Sequence, residues 1–301
     1  MSIATLLDEH SIDLPSYSEV SIESGRAPIT LSVWEAERDT SPTVVFVPGT
    51  MTHPLFYSPF LDALSRHGYH VIGVHPLSHG RSPRVIRRFT LDDMIGNVRD
   101  AVGYACARFP GAVGLMGSSQ GGVLTLLTAG AEHRIRAAFP HNVLFTPLRE
   151  SLSVTRFPNA LGVVYPAIRR IIAAVGRVLP GLQVPVGFYL DVDKVFSEQQ
   201  WRDAFFEDPM RLESYPASFL SSLFTTDMSA LVDGSITCPV VAFVSTGDPL
   251  FTLEYSRLVY ERLAAPEKRL VEVSANHHLI LNEKAEHAMP TVLAALDDYL
   301  K

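Results

Sequence analysis

Cysteine is scarce in this 301-residue chain, with Cys106 and Cys238 the only two. Two cysteines build no disulfide framework at this size and form no metal-ligand spacing, so both are expected to be reduced core thiols. A basic excess is missing too: 25 Lys and Arg stand against 32 Asp and Glu, for a formal net charge of −7. Nucleic acid is therefore not an expected partner, because phosphate binding needs a basic face. No apolar run approaches the roughly 20 residues that span a bilayer. The opening Met1–His10 has neither a basic start nor a long apolar stretch, so a secretory signal is not expected and a soluble, cytoplasmic protein is. A glycine-rich phosphate loop and a dinucleotide fingerprint are also missing, and no cofactor is expected. His53, His75, His79, His141 and His287 show no metal-type spacing; they are expected to be polar loop or surface residues, with no metal site.

What is present is a core-forming pattern. Hydrophobic residues make up 47 % of the chain, and no long charged or low-complexity stretch argues for disorder. Residues 17–24 and 29–36 alternate apolar and polar positions around Gly25 and Pro28, which predicts an antiparallel hairpin at a sheet edge. Then come nearly continuous apolar runs at 42–47, 69–74, 113–118, 135–139, 240–244 and 270–273, the mark of strands buried on both faces. Helix-like stretches fall between them at about 58–67, 91–108, 253–263 and 284–300, with Thr90 as an N-cap candidate for the second. The alternation predicts a mostly parallel sheet with helices on both faces, whose reactive groups collect beyond the carboxyl ends of the strands.

One such end is Gly117-Ser118-Ser119-Gln120-Gly121, where an apolar run breaks and a helix-compatible run begins. Glycines two residues either side of Ser119 remove the Cβ atoms that a sharp strand-to-helix turn cannot accommodate. The turn would expose the Ser119 hydroxyl at a helix N-terminus, where free N–H groups and the helix dipole favour an oxyanion. A serine hydroxyl needs a base to act as a nucleophile, and the base needs an orienting group. Asp248 ends one predicted strand, and His277 and His278 follow the next; all are expected at the same sheet edge. Asp248 could also serve only as a helix N-cap, and either histidine could be the base.

These residues, in the order Ser, Asp, His, resemble the α/β-hydrolases, and within them the capped serine esterases and monoacylglycerol-lipase-like (lysophospholipase-like) enzymes. The resemblance covers residues 43–145 and 231–300. Leu115-Met-Gly-Ser-Ser119-Gln-Gly-Gly122 is similar to the family elbow, and His75-Pro-Leu-Ser-His79-Gly80-Arg-Ser82 to a structural loop of the family. The usual His-Gly oxyanion loop is Pro48-Gly49 in this chain. The resemblance implies an oxyanion hole from the backbone N–H groups of Thr50 and Gln120, with Met51 as rival to Thr50. It also favours His278 as base, because His278 stands five residues before Glu283, while aligning Ser274-Ala-Asn276 with the family's Gly-Ala-Gly would choose His277.

Strand–helix alternation vanishes between Thr146 and Leu231, too long a stretch for a plain connection. The expected organisation is a core of residues 1–145 and 232–301 with a mainly helical cap inserted at 146–231. In that cap Leu161, Val164, Ile168, Ile171, Ile172, Val175 and Val178 share a helix face opposite Arg169, Arg170 and Arg177. Such a face can pack on the domain beneath, touch a lipid surface transiently, or serve acidic substrates. Arg81, Arg84, Arg87 and Arg88 suggest a solvated loop or a site for an anionic group. The reading that follows is a cofactor-free hydrolase of small-molecule carboxylic esters with an apolar acyl part. An acyltransferase using the same acyl-enzyme and a non-catalytic binding protein of this fold are the alternatives. A nucleophilic Ser in place of Asp disfavours haloalkane dehalogenase and epoxide hydrolase chemistry.

Overall fold

The computed structural model describes residues 16–84 and 87–301; the Met1–His10 segment lies outside them. In chain order the first elements are β1 (Tyr17–Ile22), β2 (Ile29–Trp34), β3 (Thr43–Val47), α1 (Ser58–Arg66), β4 (His70–His75), α2 (Leu91–Arg108), β5 (Val113–Ser118), α3 (Gln120–Ala129) and β6 (Ala137–His141). After a long excursion come β9 (Val240–Ser245), α8 (Leu253–Arg262), β10 (Lys268–Val273) and α9 (Ala285–Leu300). The excursion holds α4 (Tyr165–Val178), β7 (Gln183–Pro185), α5 (Val186–Tyr189), α6 (Gln199–Glu207), β8 (Ser214–Pro216) and α7 (Ala217–Thr225).

Eight strands form one sheet in the order β1-β2-β4-β3-β5-β6-β9-β10. Tyr17 pairs with Trp34 and Ile22 with Ile29 in the hairpin, and Thr30 pairs antiparallel with His75; the remaining pairings are parallel. The steps from β3 to β4 and from β4 to β5 run in opposite directions across the sheet. Right-handed crossovers therefore put α1 and α2 on opposite faces, and strands covered on both faces must be apolar throughout. Every residue of β3, β4, β5, β6 and β9 is buried, each fully buried Val, Leu, Ile or Phe contributing about 1.5–3 kcal/mol. Helix α2 starts at a capping box: Thr90 Oγ1 accepts the Asp93 N–H at 3.2 Å while Asp93 Oδ2 accepts the Thr90 N–H at 2.8 Å, an arrangement worth about 1 kcal/mol.

Three expectations need correction. Strand β6 runs Ala137–His141 rather than 135–139. Pro140 does not end it; it pairs with Gly117 in the ladder, and His141 with Ser118. Cys106 is exposed while Cys238 is buried, because Ala101, Val102 and Ala105 are the positions that α2 turns inward. The histidines at 53, 75, 79 and 141 are buried, not peripheral, and His287 alone of the five is exposed. Each of the four sits at or beyond a strand end, where at least one of its ring nitrogens meets a polar group.

The segment joining β6 to β9 adds no strand to the main sheet. It contains a two-stranded antiparallel pair, β7 with β8, in which Val184 faces Tyr215. Helix α4 packs on α7 through its small residues: a Cβ on Gly176 would come within 2.2 Å of Ser221 Cβ. Of its apolar stripe only Ile168 and Ile172 are half-buried. Ile171 stays 62 % and Val178 74 % exposed, so most of the stripe faces solvent and not the domain beneath. No helix among the described residues is long and apolar enough to cross a membrane.

Candidate functional site

Ser119 stands at the apex between β5 and α3 with φ 55° and ψ −115°, a conformation that costs a non-glycine residue on the order of 1–3 kcal/mol. The surrounding glycines are what permit it. A Cβ on Gly117 would lie 2.2 Å from the Gly121 carbonyl oxygen, and one on Gly121 would lie 2.1 Å from that of Val47. The Ser119 N–H donates to the His141 carbonyl at 2.8 Å, so the elbow is pinned to β6.

Asp248 follows β9 and His278 follows β10, and the parallel register of those strands carries both to the same edge. His278 Nδ1 lies 2.8 Å from Asp248 Oδ2, with both side chains buried. The other carboxylate oxygen, Oδ1, accepts the N–H groups of Leu250 at 2.7 Å and Phe251 at 2.9 Å. Burial alone would raise the Asp248 pKa; the facing His278 and these hydrogen bonds outweigh it and hold the carboxyl below its ordinary value. With Nδ1–H given to the carboxylate, Nε2 keeps its lone pair. Phe251 stacks on the imidazole, 5.4 Å between centroids at 15°. His277 turns elsewhere: its Nε2 donates to the Glu283 carbonyl at 2.9 Å.

The run from Gly49 to Thr52 separates Thr50 from its rival Met51. The Gly49 N–H donates to Tyr57 Oη (3.2 Å), the Met51 N–H to Tyr215 Oη (2.8 Å) and the Thr52 N–H to the Gly49 carbonyl (3.3 Å). Among the described residues the Thr50 N–H takes no such partner, nor does that of Gln120 in the first turn of α3.

Two small cavities, of about 40 and 50 Å³, meet at Ser119 and share Thr50, Leu190 and Leu250. The first also holds His278, between Phe56, Val195 and Phe205. The second runs past Val123, Tyr189 and Phe224. Among the described residues neither has an Asp, Glu, Lys or Arg side chain in its wall. A wider groove of about 500 Å³, beside Arg149, Glu150 and Tyr255, touches none of the reactive groups. Among the described residues no group of three or more His, Cys, Asp or Glu is arranged to hold a metal ion.

Asn142 and Tyr215 escaped the sequence reading, and Glu283 entered it only as a marker of the resemblance. Asn142, directly after β6 with φ 59°, donates its amide to Asp248 Oδ2 (3.0 Å) and to His141 Nε2 (3.1 Å). Burial pushes His141 down to about 3, so it stays neutral and accepts that bond. The sequence signal for Asn142 is its place directly after a fully buried strand. Glu283, fully buried, accepts the N–H groups of Ser197 (3.0 Å) and Glu198 (3.3 Å) and the Ser197 hydroxyl, and so latches the segment before α6 beside His278. Tyr215 has no sequence signal, since it lies where the alternation is lost. Between core and excursion, His53 Nε2 also lies 2.6 Å from Asp208 Oδ2, both buried. Two of the clustered arginines are engaged within the protein: Arg84 Nη2 donates to the carbonyls of Pro209, Met210 and Arg211, and Arg81 pairs with Glu19 at 3.3 Å.

Comparison with known proteins bears on the family and the fold. Residues 38–285 match the family described as Serine aminopeptidase, S33. A monoacylglycerol lipase of Mycolicibacterium smegmatis is 26 % identical over 266 residues, covering 86 % of this chain and 89 % of the relative. The crystal structure of Paleococcus ferrophilus monoacylglycerol lipase superimposes with a TM-score of 0.72 at 20 % identity, over 90 % of this chain and 99 % of that one. A soluble variant of the Saccharomyces cerevisiae monoglyceride lipase, in complex with a substrate analogue, gives 0.72 at 15 % identity, over 94 % of each chain. With the family match spanning most of its length, this chain belongs to the serine aminopeptidase S33 family, and is a hydrolase of the α/β-hydrolase fold.

Proposed function

We propose that the protein hydrolyses carboxylic esters with an apolar acyl part, monoacylglycerol-like lipids being the substrate class closest to its relatives. Ser119 attacks the ester carbonyl, His278 Nε2 takes its proton and returns it to the leaving alcohol, and Asp248 holds the imidazole and stabilises its charged form. The backbone N–H groups of Thr50 and Gln120 receive the oxyanion. Water then attacks the acyl-enzyme by the same proton path in reverse. The observation that carries this reading is the meeting of two apolar-walled cavities at Ser119 and Thr50, one of which also holds His278.

The same cavities argue against the aminopeptidase activity in the family's description. Binding the α-ammonium of a peptide calls for a nearby carboxylate, since burying an unpaired charge is expensive, and among the described residues the walls carry none. Residues 146–231 act as the cap, supplying Val186, Leu190 and Phe205 to the walls.

The test is turnover of p-nitrophenyl esters from acetate to palmitate alongside a monoacylglycerol and an aminoacyl anilide. Expected are a rate optimum at medium or long acyl chains, glycerol and free acid from the monoacylglycerol, and no anilide cleavage. Inertness on every ester, together with failure to take up a fluorophosphonate, sinks the hydrolase mechanism in favour of a binding protein. Transferred ester accumulating when an alcohol is supplied would favour the acyltransferase.

The exposed stripe on α4 supports transient contact of the cap with a lipid surface. Ile171→Glu combined with Val178→Glu leaves folding nearly unchanged, because both side chains are mostly in solvent. Hydrolysis of a monoacylglycerol carried in vesicles is expected to fall on the order of tenfold, through lost apolar burial at the interface, while turnover of a water-soluble ester is unchanged. Equal rates on vesicles for both proteins would remove the lipid-contact reading.

A further inference from the structure

We propose that Tyr215, a residue of β8 in the segment between β6 and β9, is the positioning residue of the oxyanion hole. Its hydroxyl holds Met51 and Gln120 in place so that the N–H groups of Thr50 and Gln120 converge. This deepens the ester-hydrolase reading and rests on it.

Every proton and lone pair around the Tyr215 oxygen has an assignment. It accepts the Met51 N–H at 2.8 Å and Gln120 Nε2 at 3.1 Å, which fills both lone pairs. Its own proton goes to His79 Nε2 at 3.0 Å. His79 can accept because its Nδ1–H is spent on the Leu77 carbonyl at 2.9 Å, and because burial pushes its pKa down to about 4, leaving it neutral. Burial also pushes the Tyr215 phenol above its ordinary range, so the hydroxyl keeps its proton. The ring is fixed by Phe219 at 4.3 Å and Phe89 at 6.0 Å between centroids. The hydroxyl therefore cannot rotate without breaking a bond.

The consequence falls on the loop after β3. Met51 has φ 60°, a left-handed conformation that a side-chain-bearing residue adopts only when its surroundings over-determine it. The same segment supplies both clamps: Tyr215 takes the Met51 N–H, and the Leu212 N–H donates to the Met51 carbonyl at 3.0 Å. With Gly49 and Thr52 also engaged, the Thr50 N–H is the amide of this turn left to meet an oxyanion. Gln120 is bound to the same oxygen, so both halves of the hole share one anchor. The anchor belongs to the cap, and seating the cap and building the hole become one event.

Tyr215→Phe keeps the ring and removes the anchor. Stopped-assay kinetics on a soluble p-nitrophenyl ester are expected to show kcat lowered on the order of tenfold to a hundredfold, short of the ~10²–10³ for losing an oxyanion donor outright. KM should stay within about twofold of the unmodified value, and the inhibition constant of an alkyl boronic acid, whose tetrahedral adduct mimics the oxyanion, should weaken by the same factor as kcat/KM. A merely structural role would lower the melting temperature but leave kcat per fluorophosphonate-titrated site unchanged, and that result overturns the proposal. His79→Leu and His79→Gln give a second reading if Tyr215→Phe does not fold. Leucine removes the acceptor of the phenolic proton and should lower kcat selectively; glutamine supplies an amide oxygen and should recover part of the loss. Equal kcat in both His79 variants and the unmodified protein overturns the proposal. An unmodified protein inert to esters and fluorophosphonate would instead fail the hydrolase reading, and this proposal with it.

Discussion

Ser119→Ala is expected to lower kcat for any ester substrate by on the order of 10⁶, with KM nearly unchanged and all fluorophosphonate labelling lost. The size follows from the division of labour. If the serine oxygen forms the acyl-enzyme, its removal takes away the covalent route, while the cavity walls and the Thr50 and Gln120 N–H groups still bind and polarise the carbonyl. His278→Ala is expected to cost about as much, and the double variant little more than either alone, because nucleophile and base act as one unit. Independent roles would instead multiply the two losses. Activity in Ser119→Ala above a thousandth of the unmodified rate would mean that another nucleophile does the work.

The scaffold of this site was legible because its physics is local. Continuous apolar runs such as Thr43–Val47 can only be strands covered on both faces, and Gly117 and Gly121 mark a turn that nothing bulkier allows. Thr90 opened α2 with a side-chain bond to Asp93 three residues on, a signal contained in four residues. The order of strands was harder to read than their existence, since only contact between distant segments fixes that β4 lies between β2 and β3.

What stayed hidden depends on residues far apart in the chain. Tyr215 meets Met51 across 164 positions and His79 across 136, and no spacing rule connects them. The arginine run looked like a charged loop, yet Arg84 is spent on three carbonyls more than a hundred residues away. The α4 stripe misled for another reason. Periodicity shows that a helix has an apolar face but not what covers it, and Gly176 rather than Ile171 makes the contact with α7. The choice between His277 and His278 rested on two competing alignments; in the structure the neighbouring rings point apart, one to Asp248 Oδ2 and the other to the Glu283 carbonyl.

Asp248→Asn is expected to lower kcat on the order of 10⁴, the effect of leaving the imidazole in the wrong tautomer, although the side chain keeps its size. Each oxygen of the carboxylate serves different donors. Oδ2 faces His278 Nδ1 and the Asn142 amide; Oδ1 faces the Leu250 and Phe251 N–H groups. An asparagine NH2 in the first position confronts two donors and drives the imidazole proton to Nε2, so that the lone pair proposed to take the Ser119 proton is lost. In the second position it opposes two backbone donors. Neither orientation satisfies the site, so the melting temperature should fall as well. The pH dependence separates this from a general loss of packing. The folded-state carboxyl is held below its ordinary value, so its stabilising contribution is complete above the unfolded-state pKa and is lost as pH falls through the depressed folded-state value. The unmodified protein should therefore lose stability on that acid limb, and Asp248→Asn should show a flatter curve there. An Asp248→Asn variant with kcat within tenfold of the unmodified enzyme, or with an unaltered acid limb, would remove Asp248 from the mechanism and leave it as an anchor for the turn at Leu250 and Phe251.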